Sequence, residues 1–146
     1  MQYLNLPAFS HKIKESEGKK YIFDAVRKKY VFLSPEEWVR QHLMHYLMMH
    51  VQIPKSLIRI ESSLSYNKLQ KRSDLQVYNR DGQIFLLAEC KSPEINLNEK
   101  TVKQVCLYNE TIKAPYLLIT NGIDLFCWSS QKDDIEFLEK VPSLPD

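Results

Sequence analysis

Glycine is scarce in this chain, at only 3 residues in 146, and the sequence contains neither a low-complexity tract nor an internal repeat. Linker-like, fibrous and solenoid organisations are thereby excluded. Cysteine is limited to Cys90, Cys106 and Cys127, an odd number too scattered for a zinc motif. Cys90 and Cys106 read as small core residues. Charge of one sign is not in excess either. The formal net charge is +2, so this is no histone-like polycation, and any contact with nucleic acid must come from local clusters. Those present are Lys19-Lys20, Arg27-Lys28-Lys29, and Lys68 with Lys71-Arg72, the last leading into Asp74. No signal peptide opens the sequence and no apolar run approaches the ~18 residues of a membrane span. A cytoplasmic protein with no membrane partner is expected.

What is there is one domain with enough apolar residues for a real core. The polar, irregular residues 1–18 read as an N-terminal arm, residues 19–132 as the domain, and residues 133–146, with Pro142 and Pro145, as a C-terminal tail. Tyr21-Ile22-Phe23 and Tyr30-Val31-Phe32-Leu33 suggest two short strands. Ser34-Pro35-Glu36-Glu37 is a helix start, with serine at the N-cap, proline at the first helical position and glutamate at the third. That helix runs to about His50 with Val39, Leu43, Tyr46 and Leu47 as its apolar stripe. His42, His45 and His50 lie on it or at its end, without an acidic partner at metal-ligand spacing. Leu57 to Leu64 reads as a strand. Asn96 with Glu99 resembles a second cap, opening a helix from about Leu97 to Lys113 with Val102, Val105, Cys106 and Ile112 inward. Two strands, Tyr116 to Thr120 and Ile123 to Trp128, flank an Asn121-Gly122 turn. Helix, three strands, helix and two strands make an α/β fold about a mixed central sheet.

The middle of this order carries the chemistry. Arg72 to Tyr78 and Gln83 to Lys91 are joined through Asn79-Arg80-Asp81-Gly82, where Asp-Gly is a strong turn signal because the turn requires positive φ. With Asp81 and Gly82 as the central turn residues, counting outward sets Asp74 directly opposite Glu89. Opposed Cβ atoms lie roughly 4.5–5.5 Å apart. Alternation puts Lys91 on the face of Glu89. Two acids at that separation repel unless a cation or proton lies between them, and a divalent metal with a neighbouring lysine resolves this. Ile84 to Ala88 is a continuous apolar run, as for a strand buried on both faces, so Glu89-Cys90-Lys91 is a charged cluster at the rim of a core.

Ser73-Asp74, fourteen residues, then Glu89-Cys90-Lys91 resembles the PD-(D/E)xK nuclease signature, with Ser73 where the name carries proline. More narrowly, Pro35-Glu36-Glu37-Trp38-Val39-Arg40-Gln41, the Asp and Glu-x-Lys hairpin, Gln104-x-x-x-Tyr108 and Thr120-Asn121-Gly122 together look like the N-terminal nuclease domain of type I restriction enzyme R subunits. The resemblance spans Arg27 to Trp128 and implies a restriction-endonuclease-like αβββαβ core and hydrolysis of DNA phosphodiesters. It implies Mg²⁺, or Mn²⁺ in its place, held by Asp74, Glu89 and the backbone carbonyl of Cys90, with Lys91 assisting the attacking water. Lys91 alternatively salt-bridges Glu89 or Asp74. Glu37 stands where many such nucleases carry an additional acid, and is equally the third residue of a capping box. Gln104 and Tyr108 share a helix face and, by the resemblance, sit beside the metal and orient the lysine or the nucleic acid. Tyr108 otherwise reads as a half-buried packing residue. Arg40, Arg72 and Lys71 are the candidate phosphate contacts, Arg40 being equally a partner for an acid. Type I R subunits continue into a DNA-translocating motor, so a helicase/translocase or restriction–modification subunit is the implied protein partner. Cutting both strands requires a homodimer or two visits. The alternative function is a non-cutting module of the same fold that binds DNA or a motor protein.

Overall fold

The computed structural model describes residues 2–60 and 75–145. Asp74, Arg72, Lys71, Lys68 and the end of the strand expected to reach Leu64 lie outside them.

Three strands open the chain. β1 (Ile13–Ser16), β2 (Lys19–Asp24) and β3 (Lys29–Phe32) form an antiparallel meander in that order. The arm expected over residues 1–18 therefore contains a strand. Ile13-Lys14-Glu15-Ser16 has a single apolar residue and gives no periodic signal. Glu17 and Gly18, with φ of 54° and 78°, supply the left-handed pair that a two-residue hairpin turn needs.

Helix α1 spans Pro35–Met49, and Ser34 caps it as expected, its Oγ accepting the Glu37 N–H at 3.0 Å. Val39, Leu43 and Leu47 recur every four residues and are completely buried. The five-stranded sheet follows from β4 (Ile58–Ile60), β5 (Leu75–Tyr78), β6 (Ile84–Cys90), β7 (Tyr116–Thr120) and β8 (Leu125–Ser129), in the spatial order β4-β5-β6-β7-β8. Only β6 and β7 run parallel, and α2 (Glu99–Ile112) is the crossover between them. The order from α1 to β7 is αβββαβ, with β8 added, as the sequence led us to expect.

The helices cover opposite faces. Leu86, Ala88 and Cys90 of β6 pack with α1 residues Val39, Leu43, Met44 and Leu47. Leu87 of β6 and Leu117 and Ile119 of β7 pack with Val102 and Val105 of α2. Alternation along β6 thus feeds two cores, which is why its apolar run is unbroken. Truncating a fully buried leucine of this kind, such as Leu43, costs about 2–5 kcal/mol.

Two local readings differ from expectation. The cap of α2 is Asn98 rather than Asn96, because Asn98 Oδ1 accepts the Thr101 N–H at 3.0 Å while Thr101 Oγ1 accepts the Asn98 N–H at 2.9 Å. The β7–β8 connection has four residues, since Thr120 pairs with Leu125. Asn121 Oδ1 there accepts the N–H groups of Ile123 and Asp124 and holds both out of the strand. Among the described residues, no helix is long and apolar enough to cross a membrane.

Candidate functional site

The β5–β6 hairpin has the inner register expected of it, reached by another route. Leu75 lies opposite Ala88, Gln76 opposite Leu87 and Val77 opposite Leu86. The turn itself is not the two-residue turn expected at Asp81-Gly82. Asn79 donates its N–H to Gln83 O at 2.8 Å and accepts the Gly82 N–H at 3.1 Å, leaving a three-residue loop with Gly82 at φ 80°. The Asn79 side chain stabilises that loop by accepting from Asp81 N and Gln83 N. Tyr78 consequently pairs with Ile84, one residue out of step, and the ladder then shifts between Val77 and Tyr78. Phe85 is the extra residue of a bulge, which is why it and its neighbour Leu86 both pack in the α1-side core. The loop and the bulge each displace the register by one, and the two displacements cancel.

This cancellation matters because a single slip would turn every side chain of β6 to the wrong face. With it, Glu89 follows Leu87 onto the α2 side of the sheet. Its carboxylate is buried, at 6% exposure, and the Lys91 ammonium lies 3.7 Å from Oε2. That distance is a charge–charge contact rather than a hydrogen bond. Asp74, the remaining member of the expected cluster, precedes the first described rung and lies outside the described residues.

The rim that carries Lys91 is fixed from β7. Lys91 N donates to Thr120 O at 2.8 Å. Asn121 Nδ2 donates to Ile95 O at 2.8 Å, tying the chain beyond Lys91 to the β7–β8 turn. Thr120 Oγ1 closes that turn by donating to Asp124 O and accepting from Gly122 N. Gly122 has φ 86°, and a Cβ there would meet Leu4 Cδ2 at 2.8 Å, since the N-terminal segment docks on this turn through an Asn5 N–H to Gly122 O hydrogen bond of 2.7 Å. Thr120-Asn121-Gly122 is thus a brace for the Glu89–Lys91 strand end.

Helix α2 lies over the same side of the sheet. Gln104 is exposed and lines an open groove of about 550 Å³ with Lys100, Lys103 and Leu107. Tyr108, one turn on, is half-buried against the α2-side core. The structure brings Gln104 and Tyr108 to the helix above the Glu89 face, and Tyr108 packs there as its simpler reading required.

A second charged group sits at the start of α1. Glu37, 6% exposed, uses its backbone N–H for the Ser34 cap, but its carboxylate does not return to Ser34 as a capping box would. Instead Oε1 accepts from Arg40 at 2.6 Å and Oε2 from Arg27 at 2.9 Å. Arg27 also pairs with the completely buried Asp24 at 2.8 Å, and Gln41 Nε2 bridges Asp24 and Glu37 at 2.8 and 3.0 Å. Arg40 has a further pair with Glu36 at 3.0 Å. Asp24, Arg27 and Gln41 were missed as members of this network. The signal available was Asp24 three residues before Arg27, the spacing of a carboxylate that caps its own turn: Asp24 Oδ1 accepts from Val26 N and Arg27 N.

Cys127 is buried, and burial pushes its thiol up to about 12. His42 and His45 are packed with Phe9, His42 also with Trp38, and His42 Nδ1 lies 2.8 Å from Trp38 O. Burial pulls both imidazoles below the ordinary histidine value, opposed at His42 by the Trp38 carbonyl and at His45 by the charge of Asp24. They are structural.

Against known proteins, a family model described as the type I restriction enzyme R protein N terminus matches residues 35–145, from the first residue of α1 to the tail. A search of curated proteins finds no match.

Proposed function

Because the chain belongs to the family of type I restriction enzyme R protein N termini, we propose that it is a metal-dependent DNA endonuclease domain that hydrolyses phosphodiester bonds in restriction. The observation that carries this reading is the rim of β6, where a buried carboxylate and a lysine share one face at 3.7 Å, in a register set by a loop and a compensating bulge.

The donor set suits a hard divalent cation. Glu89 offers anionic oxygen in a place where burial makes an opposite charge favourable, and the Cys90 carbonyl and Asp74 are oxygen donors of the same kind. We assign Mg²⁺, or Mn²⁺ in its place, to Asp74, Glu89 and the Cys90 carbonyl. Bound there, the cation supplies charge neutralisation at the phosphate and acidifies water for in-line attack. The chain's own residues do the rest. Glu89 holds negative charge at the rim and keeps the Lys91 ammonium close. Lys91 orients the water and stabilises the charge that builds on the phosphate oxygens. Gln104, exposed on α2, orients the lysine or the nucleic acid, and Tyr108 sets that helix against the sheet. Arg72 and Lys71 supply phosphate contacts. Glu37, engaged with both Arg40 and Arg27, braces α1, and Arg40 takes the part of a partner for an acid. The macromolecular partners are DNA and a motor or restriction–modification subunit.

The test is incubation of the purified chain with supercoiled plasmid and Mg²⁺ or Mn²⁺. Nicked or linear product is expected, lost in Asp74→Ala and in Lys91→Ala. Intact plasmid with both ions, together with calorimetry that detects no metal binding, rules catalysis out. DNA retardation that persists in Asp74→Ala without any cutting instead assigns a binding module.

A further inference from the structure

The β1–β2–β3 meander has one face that no helix among the described residues covers. Its register lines up Lys14, Tyr21 and Phe32 as one row across the three strands, with Phe23 opposite Tyr30 in the next. Period-2 alternation puts Lys12, Lys14, Lys19, Tyr21, Phe23, Tyr30 and Phe32 on this face. The ring geometry agrees: Tyr21 meets Phe32 at 6.1 Å and Phe23 meets Tyr30 at 5.3 Å, both edge to face. Lys14 Nζ stands 4.3 Å from the Tyr30 ring centroid and Lys12 Nζ 6.0 Å from that of Phe23. Ile22, on the other face, is completely buried, whereas Tyr30 is 37% and Phe32 54% exposed. The acids of these strands, Glu15 and Asp24, alternate to the opposite face, and Glu17 lies in the turn.

Four aromatic rings stand in two adjacent rows, bordered by lysines and with the acids of these strands on the other face, and the two exposed ones, Tyr30 and Phe32, are costly to leave in water unless something covers them. The chemistry of the cover follows from the mixture. A protein partner of the common kind would bring aliphatic side chains, for which interleaved lysines are a poor match. A bilayer would want rings at the rim of an apolar insert rather than in a flat sheet. Flat bases joined by phosphates match both halves at once. Edge-to-face pairing leaves at least one ring of each pair with both π-faces clear of its partner, and the ammonium groups that stand over the Tyr30 and Phe23 rings are within reach of the phosphates of a strand stacked on this face. Duplex DNA has its bases buried in the stack and presents no such faces.

The geometry points to this face as a stacking platform for single-stranded nucleic acid, with Tyr30 and Phe32 as the exposed stacking rings and Lys12, Lys14 and Lys19 as the phosphate contacts. It is a different surface from the rim of β6 and stands whether or not that rim cuts. A chain that nicks or unwinds its substrate would hold a displaced strand there.

The test uses the whole chain and a fluorescein-labelled oligothymidylate of about a dozen nucleotides, within the site size of such platforms. Anisotropy is read in EDTA, so that no metal-dependent event contributes. Binding is expected to exceed that of a duplex of the same length. Phe32→Leu and Tyr30→Leu, which keep apolar bulk and remove the ring, should each weaken it about tenfold. Lys14→Ala should lower the salt slope by about 0.7, the share of one phosphate on a single strand. Circular dichroism of the two leucine variants should match that of the parent, since both positions are solvent-facing. Wild-type affinity in both leucine variants overturns the proposal. So does preference for duplex, failure to bind the oligonucleotide even at low salt, or binding to anionic lipid vesicles in its place. A chain that binds the oligonucleotide yet leaves plasmid intact with metal upholds this platform and refutes only the nuclease reading.

Discussion

At the start of α1, the Glu37 carboxylate receives two guanidinium groups at 2.6 and 2.9 Å, and one of them continues to a buried aspartate. At the end of β6, the equally buried Glu89 faces the Lys91 ammonium at 3.7 Å. The contrast is one of geometry rather than of burial. Short, forked, charge-assisted bonds fix both partners and repay desolvation by satisfying several lone pairs at once. The Glu89–Lys91 contact is longer than such bonds, and a compact ammonium is a point charge without the planar fork of a guanidinium. The first arrangement is a clamp for the fold. The second lies at the strand end proposed above to act on a phosphodiester.

Substitutions on the two sides should therefore separate activity from stability. The largest effect is expected at the β6 rim. Lys91→Ala should lower plasmid cleavage by about 10²–10³-fold, the usual loss on removing one stabilising group from a transition state. Its urea midpoint should stay near that of the parent, and a large fall would move Lys91 into the structural class. Glu37→Ala should do the reverse. It leaves Arg27 and Arg40 facing one another and should cost about 3 kcal/mol in denaturant unfolding. An unchanged midpoint there would erase the distinction. Ser34→Ala removes only the α1 cap and should cost about 1 kcal/mol in the same measurement, less than Glu37→Ala although it lies three residues away.

The smallest effect concerns pH. His42 and His45 are both held below the ordinary value of 6.5 by burial. The folded chain thus binds fewer protons than the unfolded one in the window beneath that value, so stability rises with pH there and levels off above it. Urea midpoints taken from about pH 5.5 to about pH 7.5 should climb and then flatten. A midpoint that falls across this range would show that the imidazoles are stabilised in their charged form.

The sequence made much of this legible where signals were local. Ser34-Pro35 announced α1, and the unbroken run from Ile84 announced a strand buried on both faces. The hairpin shows the limit. Asp81-Gly82 invited a two-residue turn, yet only the final glycine takes positive φ, and the inner register came out as counted because the bulge at Phe85 returned the residue that the loop removed. No local pattern marks such a bulge. Asn98 displaced Asn96 as the α2 cap because Thr101 could answer it, a choice between two similar asparagines that only the reciprocal bonds decide. β1 stayed hidden since one apolar residue in four carries no period. The α1 network was illegible for a different reason: Asp24 and Gln41 are 17 residues apart and meet only once the meander has folded against the helix. Of the proposed site, the common face of Glu89 and Lys91 followed from alternation, and the common face of Gln104 and Tyr108 from helical period, while the place of that helix face beside the site came only with the resemblance. The brace from Thr120 and Asn121 to the strand end did not, because its hydrogen bonds link segments 26 and 29 residues apart.

The most direct measurement is anomalous diffraction from a crystal of the chain soaked in Mn²⁺. The account predicts a peak bonded to a Glu89 carboxylate oxygen at about 2.1 Å, as for hard octahedral cations of this size, with Lys91 still beside it. A map without a peak at Glu89, or one in which the Lys91 ammonium has closed to hydrogen-bond distance and fills the cation's place, would contradict it.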